Sequence, residues 1–328
     1  MRGKDVSSAA VVFADRFFMS EKSLAEISTL GGYIWADASG PADLARRLSR
    51  MPSARVLVSE YVQVNASLLK KAPQLRGIIS YGAGYDHIEV QTAAERGVMV
   101  CNCRGENAQA VAELTFATLL ALIRKIREAD RWVRENGWSK QGRALPAWVA
   151  GRELYSKTMG IIGLGQIGTR VARIAAGFGM KVLGHDPFAR PMTADLEPVP
   201  LEILLSGADF ISLHVPLTDG TLNMIDARAL REMKPGVFLI NTSRGKVVDG
   251  SALWNALKEK RIAGAALDVF QEEPISADHP FTSLDNVILT PHLGGLTEEA
   301  GDRLSDSITR QIRDILLGRK PEGLIAPN

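Results

Sequence analysis

The run Gly163-Leu164-Gly165-Gln166-Ile167-Gly168 constrains the fold more than any other stretch of the chain. It follows an apolar segment, Met159 to Ile162, that reads as a buried strand, and it opens a helical pattern over 166–178. Glycines so spaced between strand and helix make the turn of a dinucleotide-binding βαβ unit. The first permits a tight turn, the second lets backbone approach a pyrophosphate, and the third lets the helix pack close to the strand. The pyrophosphate then meets helix N-terminal amides, which carry partial positive charge. An acid is expected at the end of the next strand to hold the ribose hydroxyls, and Asp186 stands 18 residues beyond Gly168, directly after Val182-Leu183-Gly184-His185. Asp186-Pro187 is also ordinary turn chemistry. With strand, glycines, helix and acid in one register, however, a dinucleotide is the expected ligand. Asp186 repels a 2′-phosphate, and no arginine follows it before Arg190, so NAD is expected rather than NADP.

Strand-like and helix-like segments alternate on both sides of this turn, which predicts parallel sheets with helices on their faces. Strands are expected over 11–14, 55–58, 77–80 and 98–100, with helices over 43–48 and 65–71. A second series of strands is expected over 158–162, 181–184, 210–213, 237–240, 263–269 and 287–289. A last helix over 298–317 repeats Leu304, Ile308, Ile312, Ile315 and Leu316 at helical spacing, so one face docks. A chain of 328 residues suits two domains, since single domains cluster near ~100–150 residues. The segment 107–127 reads as a helix that is apolar on nearly every face from Val111 to Ile123, which predicts burial between domains or between subunits. The polar, tryptophan-bearing stretch 132–153 is expected to be a loop.

Charge and composition exclude several classes. The net charge is +2 with no basic block, which argues against nucleic acid, because phosphate binding needs a clustered positive footprint. No apolar run approaches the ~18–20 residues that cross a bilayer. The first 18 residues carry Arg2, Lys4, Asp5, Asp15 and Arg16 and lack the apolar stretch of a signal peptide. Two cysteines make no disulfide scaffold, and a cytoplasmic enzyme is expected. In a strand end, Cys101 and Cys103 of Cys101-Asn102-Cys103 point the same way, which suits packing, and no second ligand cluster supports a metal.

Three segments place reactive side chains just past predicted strands. These are Asn241-Thr242-Ser243-Arg244-Gly245, Gln271-Glu272-Glu273-Pro274 and Thr290-Pro291-His292-Leu293-Gly294-Gly295. Ligands of doubly wound sheets bind outside the carboxyl ends of strands, so an arginine, a glutamate and a histidine are expected to converge. Hydride transfer to a 2-oxo acid needs these groups. Arginine holds the carboxylate with a planar fork of donors, histidine donates a proton near neutral pH, and a carboxylate beside it favours the charged imidazole. Singly, each residue has a bland alternative: a satisfied histidine, a solvated acidic pair, a turn-closing arginine.

The ordered set of motifs resembles the D-isomer-specific 2-hydroxyacid dehydrogenase family over about 77–296. The matching residues begin with Gly82-Ala83-Gly84-Tyr85-Asp86, Asn107 with Val111-Ala112-Glu113, and the glycine turn. His214-Val215-Pro216-Leu217-Thr218 and Lys234-Pro235-Gly236 follow. Asn241 to Gly245 with Val248-Asp249, Asp268-Val269-Phe270 with Glu273-Pro274, and Pro291-His292 with Gly294-Gly295 complete the series.

The resemblance implies an α/β chain of two doubly wound domains. One is a Rossmann dinucleotide-binding domain at 106–295; the other is a discontinuous flavodoxin-like substrate domain at 1–105, completed by 296–328. It implies Arg244, Glu273 and His292 as catalytic residues, with Gly82, Ala83, Gly84 and Arg244 on the substrate. It implies cofactor contacts from Gly163, Gly165, Gln166, Ile167, Gly168, Asp186, His214, Pro216, Thr242, Asp268, His292 and Gly294, with Asp268 on the nicotinamide carboxamide. It further implies a homodimer joined through the cofactor domains. Many members carry an acid where this chain has Gly250, the expected start of a helix.

A short-chain dehydrogenase needs a lysine four positions after a tyrosine, and none of the five tyrosines has one. A dinucleotide-sensing, corepressor-like protein is the rival of a different class, since fold does not fix function. The substrate is expected to be a small unphosphorylated acid such as hydroxypyruvate or glyoxylate. The resemblance implies that members using phosphoglycerate place bases just after the strand that here is Val56-Leu57-Val58; in this chain Ser59-Glu60-Tyr61-Val62-Gln63 follows, with one acid and no base, although Arg104 or Arg143 would supply one if the substrate were 3-phosphoglycerate.

Overall fold

The computed structural model describes residues 8–188 and 196–327, and Arg190 and the first seven residues lie outside them. The chain divides into two compact units: Met1–Asn107 with Gly295–Asn328, and Ala108–Gly294.

The first unit holds β1 (Val11–Phe13), β2 (Tyr33–Trp35), β3 (Val56–Ser59), β4 (Gly77–Ser80) and β5 (Met99–Asn102). All pairings are parallel and the order is β2-β1-β3-β4-β5, the flavodoxin-like order. Strand alternation sorts the core into two layers. Val12, Leu57, Ile78 and Val100 pack beneath Leu44, Leu48 and Leu68 on one face. Val11, Phe13, Val58, Ile79 and Cys101 pack against Ile27 and the last helix on the other. That last helix, Glu298–Leu316, is capped by Thr297, whose hydroxyl accepts from the Ala300 amide. Its side chains Leu304, Ile308, Ile312 and Ile315 are almost wholly buried, each contributing about 1.5–3 kcal/mol. Gly77 gives them room, since a Cβ there would lie 2.6 Å from Ile315.

The second unit holds β6 (Thr158–Ile162), β7 (Lys181–His185), β8 (Leu196–Pro198), β9 (Phe210–Leu213), β10 (Phe238–Asn241), β11 (Gly264–Leu267) and β12 (Val287–Leu289). The order is β12-β11-β10-β9-β6-β7-β8, all parallel. Crossing back from β8 to β9 beside β6 is the Rossmann switch, and it puts the glycine turn after β6 at the point where strand order reverses.

Helix Ala108–Ile123 buries ten of its 16 residues against helix Gln166–Gly177 and strands β10–β12 of its own unit. The sheet and the neighbouring helix supply most of the cover that its apolar circumference demands, while Leu114, Leu120 and Ala121 stay half-buried and Ala117 exposed. The expected loop at 132–153 is also corrected. Lys125 turns left-handed, and helices Ile126–Arg134 and Gly137–Gln141 follow with no buried residue in either. Strands β2 and β8, three residues each at sheet edges, were not foreseen; so short a run carries no period.

Candidate active site

The three glycines of the turn have different jobs. Gly163 has φ 93°, and a Cβ there would sit 2.5 Å from the His214 carbonyl oxygen. A Cβ on Gly168 would sit 1.9 Å from the Gly163 carbonyl oxygen, so both positions serve close packing. Gly165 is exposed, and nothing lies within 4 Å of its would-be Cβ. It leaves the N-terminus of helix Gln166–Gly177 uncovered, the surface a pyrophosphate needs. Gln166 is exposed and Ile167 half-buried at that helix start. Asp186 directly follows β7, beside the turn. Its Oδ2 accepts from the Leu164 amide at 2.8 Å and its Oδ1 from the Phe188 amide at 2.9 Å. An open helix terminus with an acid fixed beside it fits a dinucleotide.

The His214 side chain is buried, with Nε2 2.8 Å from the Ser212 hydroxyl, and burial pushes its pKa down to about 3. This neutral ring is turned into the core. Pro216 is exposed, and Thr242 is buried with its hydroxyl 3.2 Å from that of Thr115.

Arg244, Glu273 and His292 belong to loops after β10, β11 and β12, neighbouring strands that carry them to one edge of the sheet. Asn241 shapes the first loop: its Oδ1 accepts from the Ser243 amide and hydroxyl at 3.0 and 2.8 Å, and its Nδ2 donates to the Arg244 carbonyl at 2.9 Å. A Cβ on Gly245 would lie 1.9 Å from the Phe270 carbonyl carbon, so the Arg244 loop is pressed onto the Glu273 loop. The Phe270 amide donates to Glu273 Oε1 at 2.8 Å, and Glu273 Oε2 lies 2.7 Å from His292 Nδ1. Glu272, its neighbour, is exposed.

Burial opposes a charged imidazole at His292, but the hydrogen bond and charge of Glu273 outweigh it and hold the pKa above its ordinary value. Glu273 answers in kind. Burial pushes its carboxyl up, while His292, the Phe270 amide and the Arg244 charge pull it to a net position below the ordinary range. The pair is thus biased toward imidazolium and carboxylate.

His292 adopts a left-handed backbone, φ 54°, and Asp268 holds it there. Asp268 is 1% exposed. Its Oδ1 accepts from the Thr290 hydroxyl at 2.6 Å and the Leu293 amide at 2.8 Å, its Oδ2 from the Gly294 amide at 2.8 Å, and its carbonyl from the His292 amide at 2.9 Å. Its visible work is on the histidine loop. Asn241 and Thr290 were missed as site-shaping residues; a polar side chain at a strand end was the one signal they gave.

In the first unit, Gly82 turns at φ 106° after β4. The three carbonyls of Gly82-Ala83-Gly84 accept from the Cys103 amide at 2.8 Å, Asn102 Nδ2 at 2.7 Å and the Ser80 hydroxyl. Arg104, just past β5, and Arg143, in the second unit, are both exposed. Gly250 begins helix Gly250–Lys258, capped by the Asp249 carboxylate. Among the described residues no cluster of three or more His, Cys, Asp or Glu is arranged for a metal, and no helix is long and apolar enough to cross a membrane.

Residues 116–294 match the D-isomer specific 2-hydroxyacid dehydrogenase, NAD binding domain family. The chain is 41% identical over 296 residues to a glyoxylate reductase of Korarchaeum cryptofilum, covering 89% of this chain and 88% of that protein. It is 41% identical over 266 residues to a D-3-phosphoglycerate dehydrogenase of Synechocystis, covering 80% of this chain and 47% of that longer protein. An NADPH-dependent glyoxylate/hydroxypyruvate reductase of Sinorhizobium meliloti, solved with NADP and malonate, superposes with a TM-score of 0.87 at 27% identity, over 98% of this chain and 97% of that one. The chain belongs to the D-isomer-specific 2-hydroxyacid dehydrogenase family and is an NAD-dependent dehydrogenase acting as a 2-hydroxyacid reductase.

Proposed function

We propose that this enzyme reduces a small unphosphorylated 2-oxo acid, glyoxylate or hydroxypyruvate, to its D-2-hydroxy acid with NADH. The observation that carries the reading is the 2.7 Å contact of His292 Nδ1 with Glu273, whose other oxygen is fixed by the Phe270 amide. With Nδ1 so committed, Nε2 of the imidazolium is the atom that gives its proton to the substrate carbonyl oxygen. Arg244 holds the substrate carboxylate with its fork of donors and polarises the carbonyl. The Gly82-Ala83-Gly84 loop, its carbonyls already engaged, has its amides to offer a substrate carboxylate. Gly163, Gly165, Gln166, Ile167 and Gly168 hold the pyrophosphate, and Asp186 takes the adenosine ribose hydroxyls and disfavours a 2′-phosphate. Backbone of His214, with Pro216, Thr242, Asp268, His292 and Gly294, completes the cofactor set. Bound NADH supplies the hydride that reduces the carbonyl carbon.

Identity to relatives does not choose the substrate, since glyoxylate reductases and a phosphoglycerate dehydrogenase stand at the same 41%. Charge favours the unphosphorylated acid, because Ser59 to Gln63 carries one acid and no base. Kinetic efficiencies for glyoxylate, hydroxypyruvate and phosphohydroxypyruvate with NADH test this. A clear preference for the phosphorylated acid refutes it and makes Arg104 and Arg143 the first residues to mutate. Cofactor binding without turnover of any 2-oxo acid would favour a sensing protein.

A homodimer is also proposed. Its support is the apolar surface of Ile126, Val133, Trp138, Leu145 and Trp148, each more than 40% exposed on segments that bury little of themselves. The free thiols of Cys101 and Cys103 suit a reducing compartment, and the cytoplasm is the proposed location.

A further inference from the structure

The glycine turn carries no charge of its own. From Thr158 to Ala172 the one charged side chain is Arg170. Helix Gln166–Gly177, which opens on that turn, has no acid in its first turn and no side-chain cap. The N-terminal end of a helix carries partial positive charge, which favours acids there and disfavours cations. An arginine one turn in from such an end, with no acid before it, is the wrong charge for the helix alone. It is the right charge for a helix end that receives an anion.

Arg170 is also held toward that end. Its Nη1 donates to the Gln166 carbonyl oxygen at 2.6 Å and to Gln166 Oε1 at 3.0 Å. Both oxygens belong to the first residue of the helix, four positions back, so the guanidinium lies along the first turn instead of extending away from it. No carboxylate among the described residues pairs with it. The bond to Oε1 sorts the Gln166 amide: its oxygen is committed to the guanidinium, and its Nε2 donors are left over. Thr169 is engaged elsewhere, its hydroxyl donating to the Gly165 carbonyl at 2.8 Å. Beside the turn stands a fixed negative charge, the Asp186 carboxylate on the Leu164 amide at 2.8 Å. A pyrophosphate added to this turn brings more negative charge, and backbone amides carry no net charge to balance it.

We propose that Arg170 is a further cofactor-binding residue. It sets the Gln166 amide so that Nε2 serves the pyrophosphate as donor, and it supplies the positive charge that the glycine turn lacks. The inference rests on the reading that the pyrophosphate lies on this turn, within the stretch that matches the NAD binding domain family. Arg244 is the group for the substrate carboxylate, so Arg170 answers to the cofactor alone.

The test measures binding to the cofactor-free enzyme by calorimetry, with ADP and adenosine as probes. ADP carries a pyrophosphate and adenosine does not. In Arg170→Gln the Kd for ADP is expected to rise about tenfold, equivalent to about 1.4 kcal/mol, with adenosine unchanged. The dependence of ADP binding on ionic strength should weaken in the same variant, since a charge has left the site. Arg170→Lys, which keeps the charge, is expected to recover ADP binding to within about threefold of wild type, a span of about 0.65 kcal/mol. The Tm of cofactor-free Arg170→Gln should not fall, because the substitution takes a cation from the positive end of a helix. In turnover, the KM for NADH should rise with the Kd for ADP, and the KM for the 2-oxo acid should not. A structural role would instead weaken ADP and adenosine together and lower the Tm. That result, or unchanged ADP binding in Arg170→Gln while Gly165→Ala weakens it, overturns the inference alone. Unchanged ADP binding in both variants overturns the placement of the pyrophosphate and this inference with it.

Discussion

His292 Nδ1 and Glu273 Oε2 stand 2.7 Å apart, and the Phe270 amide fixes the carboxylate's other oxygen at 2.8 Å. Held from both sides, the carboxylate has one orientation and presents its charge to one ring nitrogen. The ring's tautomer and its protonation are thereby set by a residue 19 positions away in the chain.

The first prediction follows from that bond. Burial works against the imidazolium, and Glu273 reverses the balance, leaving the His292 pKa raised; Asp268 adds to the rise and Arg244 opposes it. Reduction needs the protonated ring, so wild-type efficiency falls as pH rises through the raised value. Glu273→Gln removes the main stabilising partner, and the fall moves to lower pH. His292→Ala should lower kcat by about 10²–10⁴-fold at all pH with little change in NADH affinity. Profiles of kcat/KM against pH check both. An unmoved profile in Glu273→Gln contradicts the assigned pairing.

A second prediction concerns Arg244→Lys. Lysine keeps the charge but loses the planar two-point grip, so charge alone cannot restore function. The loss of one charge-assisted hydrogen bond, about 1.5–3 kcal/mol, corresponds to about 10–150-fold in kcat/KM. Both KM and kcat should suffer, because the group binds and polarises. Near-wild-type kinetics in the lysine variant would mean that Arg244 acts as a simple positive charge.

Much of the site was legible because its chemistry is local. The glycine turn announces itself within six residues, and Arg244, Glu273 and His292 each follow an apolar strand. What holds them was not legible. Asp268 meets Thr290, Leu293 and Gly294 from 22 to 26 residues away, and such pairs leave no periodic trace in one sequence. Helix Ala108–Ile123 shows the opposite limit. An apolar circumference demands cover but does not say whether sheet, domain or subunit provides it, and here the unit's own sheet and neighbouring helix provide most of it.

Asp186 gives a third prediction, on cofactor choice. Its carboxylate has one visible task, Oδ2 capping the Leu164 amide of the glycine turn, and one that we propose, its charge disfavouring a 2′-phosphate. Asp186→Asn separates them, since the amide oxygen still accepts from Leu164 while the charge is gone. The NADH-to-NADPH ratio of kcat/KM is expected to drop about 10–100-fold, equivalent to about 1.4–2.8 kcal/mol. Asp186→Ala, which also loses the cap, should lower NADH efficiency further. Retained NADH preference in the asparagine variant would assign selectivity to shape rather than charge.

The glycine turn allows fold and ligand to be separated in one experiment. At Gly168 a methyl group would lie 1.9 Å from the Gly163 carbonyl oxygen, which is backbone and has nowhere to go. Gly168→Ala must push the helix off its strand, and overpacking of this kind costs about 1–3 kcal/mol or more, so its Tm should fall with or without cofactor. At Gly165 a methyl group would meet nothing within 4 Å, and the backbone there, φ −71°, suits any residue. Gly165→Ala should therefore keep the wild-type Tm without cofactor. Its methyl would stand where a pyrophosphate approaches the helix terminus, so the KM for NADH should rise at least tenfold, and the thermal stabilisation by NAD should shrink with it. Thermal melts of both variants with and without NAD, beside NADH titrations, read the two effects separately. If Gly165→Ala binds NADH like the wild type, the pyrophosphate does not lie on this turn and the cofactor assignment fails at its centre.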